Sequence, residues 1–312
     1  MSDGKDLSRR VRQLLNEPST SQFLDTRTTF DFLFEAAKEW VNISKCLRKT
    51  QSITTVAEQQ GYTIDGDFLA HWVKDDDNSF QVKYNDGSDD YFLDFKEYSE
   101  IIYDNDSDSV LLPSYWGVTN DTTLDSQITG VTNAAGAAVG GKSTCAAATA
   151  LFTDATAGDI IHNTTDGSDG VIISIASDFK SCTTALFGGT DNDWTSGDAL
   201  IIQPRGRLKL VLDPPPSTAA HTITVYALQK PTPVYSSYDV YPFSYDYAEA
   251  LSKYAAWLYK MRDKEPDVGH AWYKFFYAQA MDYGGLFKAA VGIDTSRMVP
   301  LFHGNGRHRY AR

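Results

Sequence analysis

Gly136-Ala-Ala-Val-Gly-Gly141-Lys142-Ser143 matches GxxxxGK[ST], the spacing of a phosphate-cradling loop, letter for letter. In that chemistry backbone N–H groups surround a phosphate, the lysine reaches the outer phosphates and the hydroxyl holds magnesium. The surroundings speak against it. Such a loop belongs to a parallel sheet covered by helices. Here the residues before Gly136 make a weak strand, and those after it read as short strands and turns. Asp213, which would supply the second acidic motif after Leu208–Leu212, runs straight into Pro214-Pro-Pro216 and suits a turn better.

Other candidate chemistry is weaker. Asp104-Asn-Asp106-Ser-Asp108 has the alternating oxygens that open a calcium loop, but the sixth position is Ser109 instead of glycine and the twelfth is Tyr115 instead of glutamate. His71, His162, His221, His270, His303 and His308 show neither HExxH nor paired spacing. No GxSxG or Cys/His arrangement marks a nucleophile, and no pair of carboxylates stands out as an acid/base couple. Cys46, Cys145 and Cys182 have no metal-ligand or CxxC spacing. Their odd count argues against a disulfide framework and for a reducing compartment. The sequence offers no active site, and no enzyme, cofactor or metal is expected.

The elements that would position these residues fall into a helical beginning, a β-rich middle and a helical end. Asp6–Asn16 is a short basic-faced helix with Leu7, Val11, Leu14 and Leu15 on one side. A long amphipathic helix follows, capped by Thr28 or Thr29, with Phe30, Leu33, Phe34, Ala37, Trp40, Val41 and Cys46–Leu47 on its buried stripe. Ser244–Met261 and Val268–Ala290 are two further helices rich in tyrosine, tryptophan and phenylalanine. Their rings at helical spacing are core candidates, while Tyr235, Tyr238, Tyr241 and Tyr245 in the approach are candidates for subunit contacts. Between the ends, strands are predicted at Ser52–Ala57, Phe68–Lys74, Phe80–Asn85, Tyr91–Asp94, Val171–Ile175, Leu208–Leu212 and Thr222–Leu228, with Asn85-Asp-Gly87 as a hairpin turn. From Ser114 to Ile202 the composition shifts to Thr, Ala, Gly and Asp. Two similar phrases recur there, Ala157-Gly-Asp-Ile-Ile161 and Ser196-Gly-Asp-Ala-Leu-Ile-Ile202, each a Gly-Asp turn feeding an apolar strand.

The predicted fold is therefore α+β. N- and C-terminal helices form a helical bundle with strands, over residues 1–113 and 203–290. Residues 114–202 are an inserted all-β module, sandwich- or barrel-like, and residues 291–312 are an extended C-terminal arm.

Length and composition fit a globular protein, with 312 residues of which 42% are hydrophobic. No apolar run is long enough to span a membrane, and no signal peptide is read at the start. The net charge of −13 is unevenly spread. Fourteen acids lie between Asp65 and Asp108, among them Asp75, Asp76, Asp77, Asp86, Asp89, Asp90, Asp104, Asp106 and Asp108, against Lys74, Lys83 and Lys96. Thr295–Arg312 carries Arg297, Arg307, Arg309 and Arg312 and no acid, with Met298, Val299, Leu301, Phe302 and Tyr310 interspersed. An acidic body with a basic, apolar-studded tail calls for a partner. Tight nucleic-acid binding is not expected, because no basic stripe covers a folded region.

Several phrases, in this order, resemble head-to-tail adaptor (connector) proteins of tailed bacteriophages, in particular the podovirus type. They are the helix around Phe30–Arg48 with Gln59-Gln-Gly-Tyr-Thr-Ile-Asp-Gly-Asp-Phe68 after it; Leu208-Lys-Leu-Val-Leu-Asp-Pro-Pro-Pro216 with Thr222–Pro231, ending in Lys230-Pro231; and the closing helices Tyr245–Arg262 and Ala271–Phe287. Leu151–Ile202 is similar to small β modules inserted in phage structural proteins. Ile64-Asp65-Gly66 departs from the family, which often has a Leu-Pro pair there.

The resemblance implies a structural virion protein, synthesised in the host cytoplasm. It would form a ring of about twelve copies in the virion neck, joining the portal protein to a tail or nozzle protein. DNA would pass through without specific binding, and no membrane partner is implied. The acid cluster would then be a DNA-repelling wall, since phosphate neutralisation would trap DNA in transit. Arg297, Met298, Leu301, Phe302, Arg307, Arg309, Tyr310 and Arg312 would dock the arm on the portal or a neighbour. A receptor-binding or decoration protein is the alternative, and a P-loop nucleotide-binding protein a more distant one.

Overall fold

The computed structural model describes residues 2–18, 24–71, 82–103, 112–123, 127–262 and 266–290. These make a mixed α+β protein with five helices, α1 (Gly4–Leu15), α2 (Thr26–Ser44), α3 (Tyr98–Tyr103), α4 (Ala248–Arg262) and α5 (Pro266–Ala290), and several antiparallel sheets. Two compact units result, one of Met1–Cys46 with Val240–Arg312 and one of Leu47–Asp239. These limits group residues 47–113 and 203–239 with 114–202, whereas the sequence reading set them with the helices. The grouping follows from long-range strand pairing.

In the first unit, helix ends are set by local chemistry. Asp3 accepts the Asp6 N–H at 2.6 Å and caps α1, which ends at Asn16 in the left-handed conformation. Asp25, and not Thr28 or Thr29, caps α2, accepting the Thr28 N–H at 2.5 Å. Thr29 instead turns its hydroxyl back to the Asp25 carbonyl at 2.8 Å. α2 buries Phe30, Leu33, Phe34, Ala37, Trp40 and Val41, the three-four spacing of one helical face. α4 packs on α1, α2 and α5. Trp40 is fully buried at their meeting point, with ring centroids of Tyr247, Tyr283, Phe276 and Phe243 at 5.3, 5.4, 5.7 and 6.2 Å.

In the second unit, Thr222–Gln229 is the organising strand. It pairs antiparallel with Arg48–Thr54 on one side and with Phe68–His71 and Val82–Asn85 on the other. A four-stranded sheet runs Gly61–Thr63, Leu208–Asp213, Tyr115–Asn120, Asp94–Phe95. The two sheets share one core of Tyr62, Tyr84, Leu93, Trp116, Leu210, Leu212, Ile223, Val225 and their neighbours. They join through residues 90–95, where Leu93 turns inward between strand pieces belonging to each sheet. Across the opposite gap Gln51 spans from Arg48–Thr54, donating to the Thr63 carbonyl at 3.4 Å and accepting the Asp65 N–H at 3.0 Å.

The remaining strands form a six-stranded antiparallel sheet in the order Ser143–Ala146, Ser181–Phe187, Ser168–Ile175, Ile160–Asn163, Ala199–Gln203, Ile128–Val131. It has its own core, with Phe152, Ile161, Ile172, Trp194 and Ile202. The recurring Gly-Asp phrases are equivalent turns within it. Gly158 and Gly197 take φ of 96° and 97°, a left-handed backbone suited to glycine. Asp159 accepts the Thr156 N–H, and Asp198 the Thr195 N–H, each at 2.8 Å. The strands they launch are antiparallel neighbours, with Ile161 opposite Ile202.

Candidate interaction surface

The GxxxxGK[ST] segment is a hairpin. Val139 and Lys142 pair across Gly140-Gly141, whose φ values of 63° and 80° make the tight reversal. A phosphate cradle would lead into a helix; here Ser143 opens a strand and is buried, its hydroxyl 3.3 Å from that of Thr184. Lys142 is ion-paired with Asp239. Gly136 pairs with Trp194, and a methyl group on it would lie 1.9 Å from the Thr144 carbonyl oxygen. The glycines thus serve close strand approach and a turn. Asp213 pairs with Lys96 at 3.4 Å.

The histidines whose side chains are described are engaged or exposed. His162 Nδ1 faces the Asp169 carboxylate, His221 Nδ1 lies 2.7 Å from the Tyr84 hydroxyl, and His270 is exposed on α5. Among the described residues no group of three or more His, Cys, Asp or Glu side chains is placed to hold a metal, and no helix is long and apolar enough to cross a membrane.

Of the acidic cluster, Asp65, Asp67, Asp86, Asp89, Asp90, Asp94, Glu97 and Glu100 lie in the described residues; Asp75, Asp76, Asp77, Asp104, Asp106 and Asp108 lie outside them, as do the arm residues Arg297, Met298, Leu301, Phe302, Arg307, Arg309, Tyr310 and Arg312. Asn85 and Asp90 face each other across a loop of Asp86–Asp89, longer than a two-residue turn. Asp86 closes it, accepting the N–H groups of Ser88 and Asp89 at 2.8 Å and the Tyr91 hydroxyl at 3.2 Å. The Asp89 and Ser88 N–H groups hold its carboxyl below the ordinary range. Asp90 is lowered too, by the Asn85 amide and by Lys83 at 2.9 Å. Asp86 and Asp90 are therefore turn-building carboxylates.

Beside them lies a feature the charge pattern hides. Between Tyr91 and Tyr115 the chain exposes Tyr91, Phe92, Phe95, Tyr98, Ile102, Leu112 and Tyr115, with Phe95 at 58% and Ile102 at 51%. Strand register places some of them. Phe92 stands opposite Lys83, Asp94 opposite Tyr115, and Phe95 opposite Trp116, whose ring it meets edge-on at 5.0 Å. α3 approaches the same strand where Ile101 reaches Gly117. Asp89, Asp94, Glu97 and Glu100 of the same stretch are exposed too. Lys83 pairs with Asp90, and Lys96 is held by Asp213 and by the Tyr115 ring at 4.9 Å. Exposed aromatic rings among exposed acids are a composition that suits contact with another protein. The sequence reading weighed the acids of this stretch and passed over its rings. Compared with known proteins, the chain matches no family model and no curated protein.

Proposed function

We propose that this chain is a structural virion protein that assembles into a ring, joining a portal to a tail and letting DNA through. The observation that carries the proposal is the exposure of Tyr91, Phe92, Phe95, Tyr98, Ile102 and Tyr115 in a stretch whose acids Asp89, Asp94, Glu97 and Glu100 are exposed too, which suits contact with another protein and repels phosphate. Three further features support it. The packed α1, α2, α4 and α5 fit a helical bundle made by both chain ends. The six-stranded sheet with a separate core fits a module inserted in a larger β framework. The hairpin at Gly136–Ser143 supports this reading over a phosphate-cradling loop. In this reading part of the Asp75–Asp108 acid cluster faces the channel, and the Arg297–Arg312 arm docks on the portal or a neighbouring copy.

The deciding experiment is the copy number of this chain against the portal protein in purified particles, by quantitative mass spectrometry. A one-to-one ratio is expected. A ratio near one-half or below, or absence from the particle, overturns the neck assignment. A decoration or receptor-binding role is the second reading. It is favoured by the separately cored six-stranded sheet, and it predicts a trimer in solution instead of a ring.

A further inference from the structure

The cysteine count of three conceals a pair. Cys145 sits in Ser143–Ala146, an outer strand of the six-stranded sheet, and the register places it directly opposite Cys182 in Ser181–Phe187. Both side chains enter the same core, 0% and 2% exposed, among Ala147, Phe152 and Trp194. Their thiols are free. Residues directly opposite in an antiparallel pair have Cα atoms about 4.5–5.5 Å apart. That lies inside the span of roughly 4.4–6.8 Å that a disulfide bridges. The two Cβ atoms also stand on one face of the sheet, so rotation of the side chains suffices to join them.

We propose that Cys145 and Cys182 are a disulfide-forming site that staples the outer strand of this sheet to its neighbour. The co-reactant is a small-molecule disulfide such as oxidised glutathione. One cysteine thiolate attacks it and releases a glutathione thiolate. The second cysteine then displaces the remaining glutathione from the mixed disulfide. One S–S bond is broken and one formed, the two cysteines are oxidised, and their protons end on the two glutathione thiols.

Access sets the rate. Burial, and then the neighbouring Cys145 thiol, push the Cys182 thiol up, so little thiolate exists in the closed sheet. Ser143–Ala146 has a strand partner on one side only; on the other it meets the 133–136 segment, where the Asn133 N–H reaches the Ala146 carbonyl at 2.9 Å. Opening of this outer strand is the route by which the thiols meet an oxidant. Oxidation is therefore slow in native buffer and accelerates in low denaturant.

The test is thiol counting on the full chain after exposure to oxidised glutathione in low urea, followed by mass spectrometry of an unreduced digest. The expected result is a fall from three free thiols to one, with a Cys145–Cys182 crosslinked peptide two hydrogens lighter than its parts. The thermal midpoint should rise by roughly 5–10 °C, reversibly with dithiothreitol. The rise should persist in Cys46→Ser and vanish in Cys145→Ser and Cys182→Ser. Because the buried variants risk unfolding, Cys46→Ser alone carries the test: its two remaining thiols should disappear together. Retention of all thiols, a crosslink through Cys46, glutathione adducts without the crosslink, or a lowered midpoint on oxidation would each overturn the proposal.

Discussion

Asp159 and Asp198 show how one side chain can launch a strand. Asp159 is 2% exposed and accepts the Thr156 N–H through one oxygen and the Arg205 N–H through the other, at 2.8 and 3.0 Å. Asp159→Ala should cost about 1–3 kcal/mol in urea unfolding, because it strands two buried donors. Burial raises its carboxyl above the ordinary range despite those hydrogen bonds. A raised folded pKa means that protonation favours folding. The contribution is complete below the ordinary aspartate value of about 3.9 and is lost as pH rises through the folded value. The stability of wild type relative to the non-titrating Asp159→Asn should therefore decline from about pH 3 toward neutrality. At Gly136, alanine should cost about 1–3 kcal/mol by collision with the Thr144 carbonyl. The recurrence of Gly-Asp before two apolar runs was legible as turn-and-strand in the bare sequence. The match to a phosphate loop was also legible, and so was the case against it, because the residues after Lys142 read as short strands and turns.

At the scale of elements, periodicity carried most of the helices. α4 and α5 lie within a few residues of the Ser244–Met261 and Val268–Ala290 patterns. The cap of α2 was missed because Asp25, Thr28 and Thr29 all have suitable side chains, and only the backbone entering the helix decides among them. Asp25→Ala should cost about 1 kcal/mol. Trp40→Ala should be far more damaging, about 3–5 kcal/mol, since it opens a cavity among four aromatic rings contributed by the far end of the chain. Thermal unfolding followed by tryptophan fluorescence would measure both. Strand partners were less legible than strand positions. That Cys145 faces Cys182, or that Ile53 faces Ile223, follows from register across a fold and not from any local pattern.

For the whole molecule, the proposed ring makes two separable demands. Phe95→Ser combined with Ile102→Ser should leave the far-ultraviolet circular dichroism unchanged and lower the assembled fraction in light scattering; unchanged assembly would remove the aromatic surface from the interface. Truncation after Asp294 should abolish portal attachment while the body stays folded, and intact attachment would reject the docking role of the arm. An α+β protein with helical ends and a β-rich middle could be read in advance, because amphipathic period and turn residues are local signals. The division into compact units could not, because it depends on Arg48–Thr54 finding Thr222–Gln229. That pairing has a temporal side. At roughly 5–20 residues per second of synthesis, the intervening stretch keeps the early strand waiting roughly 10–30 s for its partner. The open edge left for that interval favours expression at low temperature or with a holding chaperone, and makes the nascent chain, more than the finished protein, the point of vulnerability to aggregation.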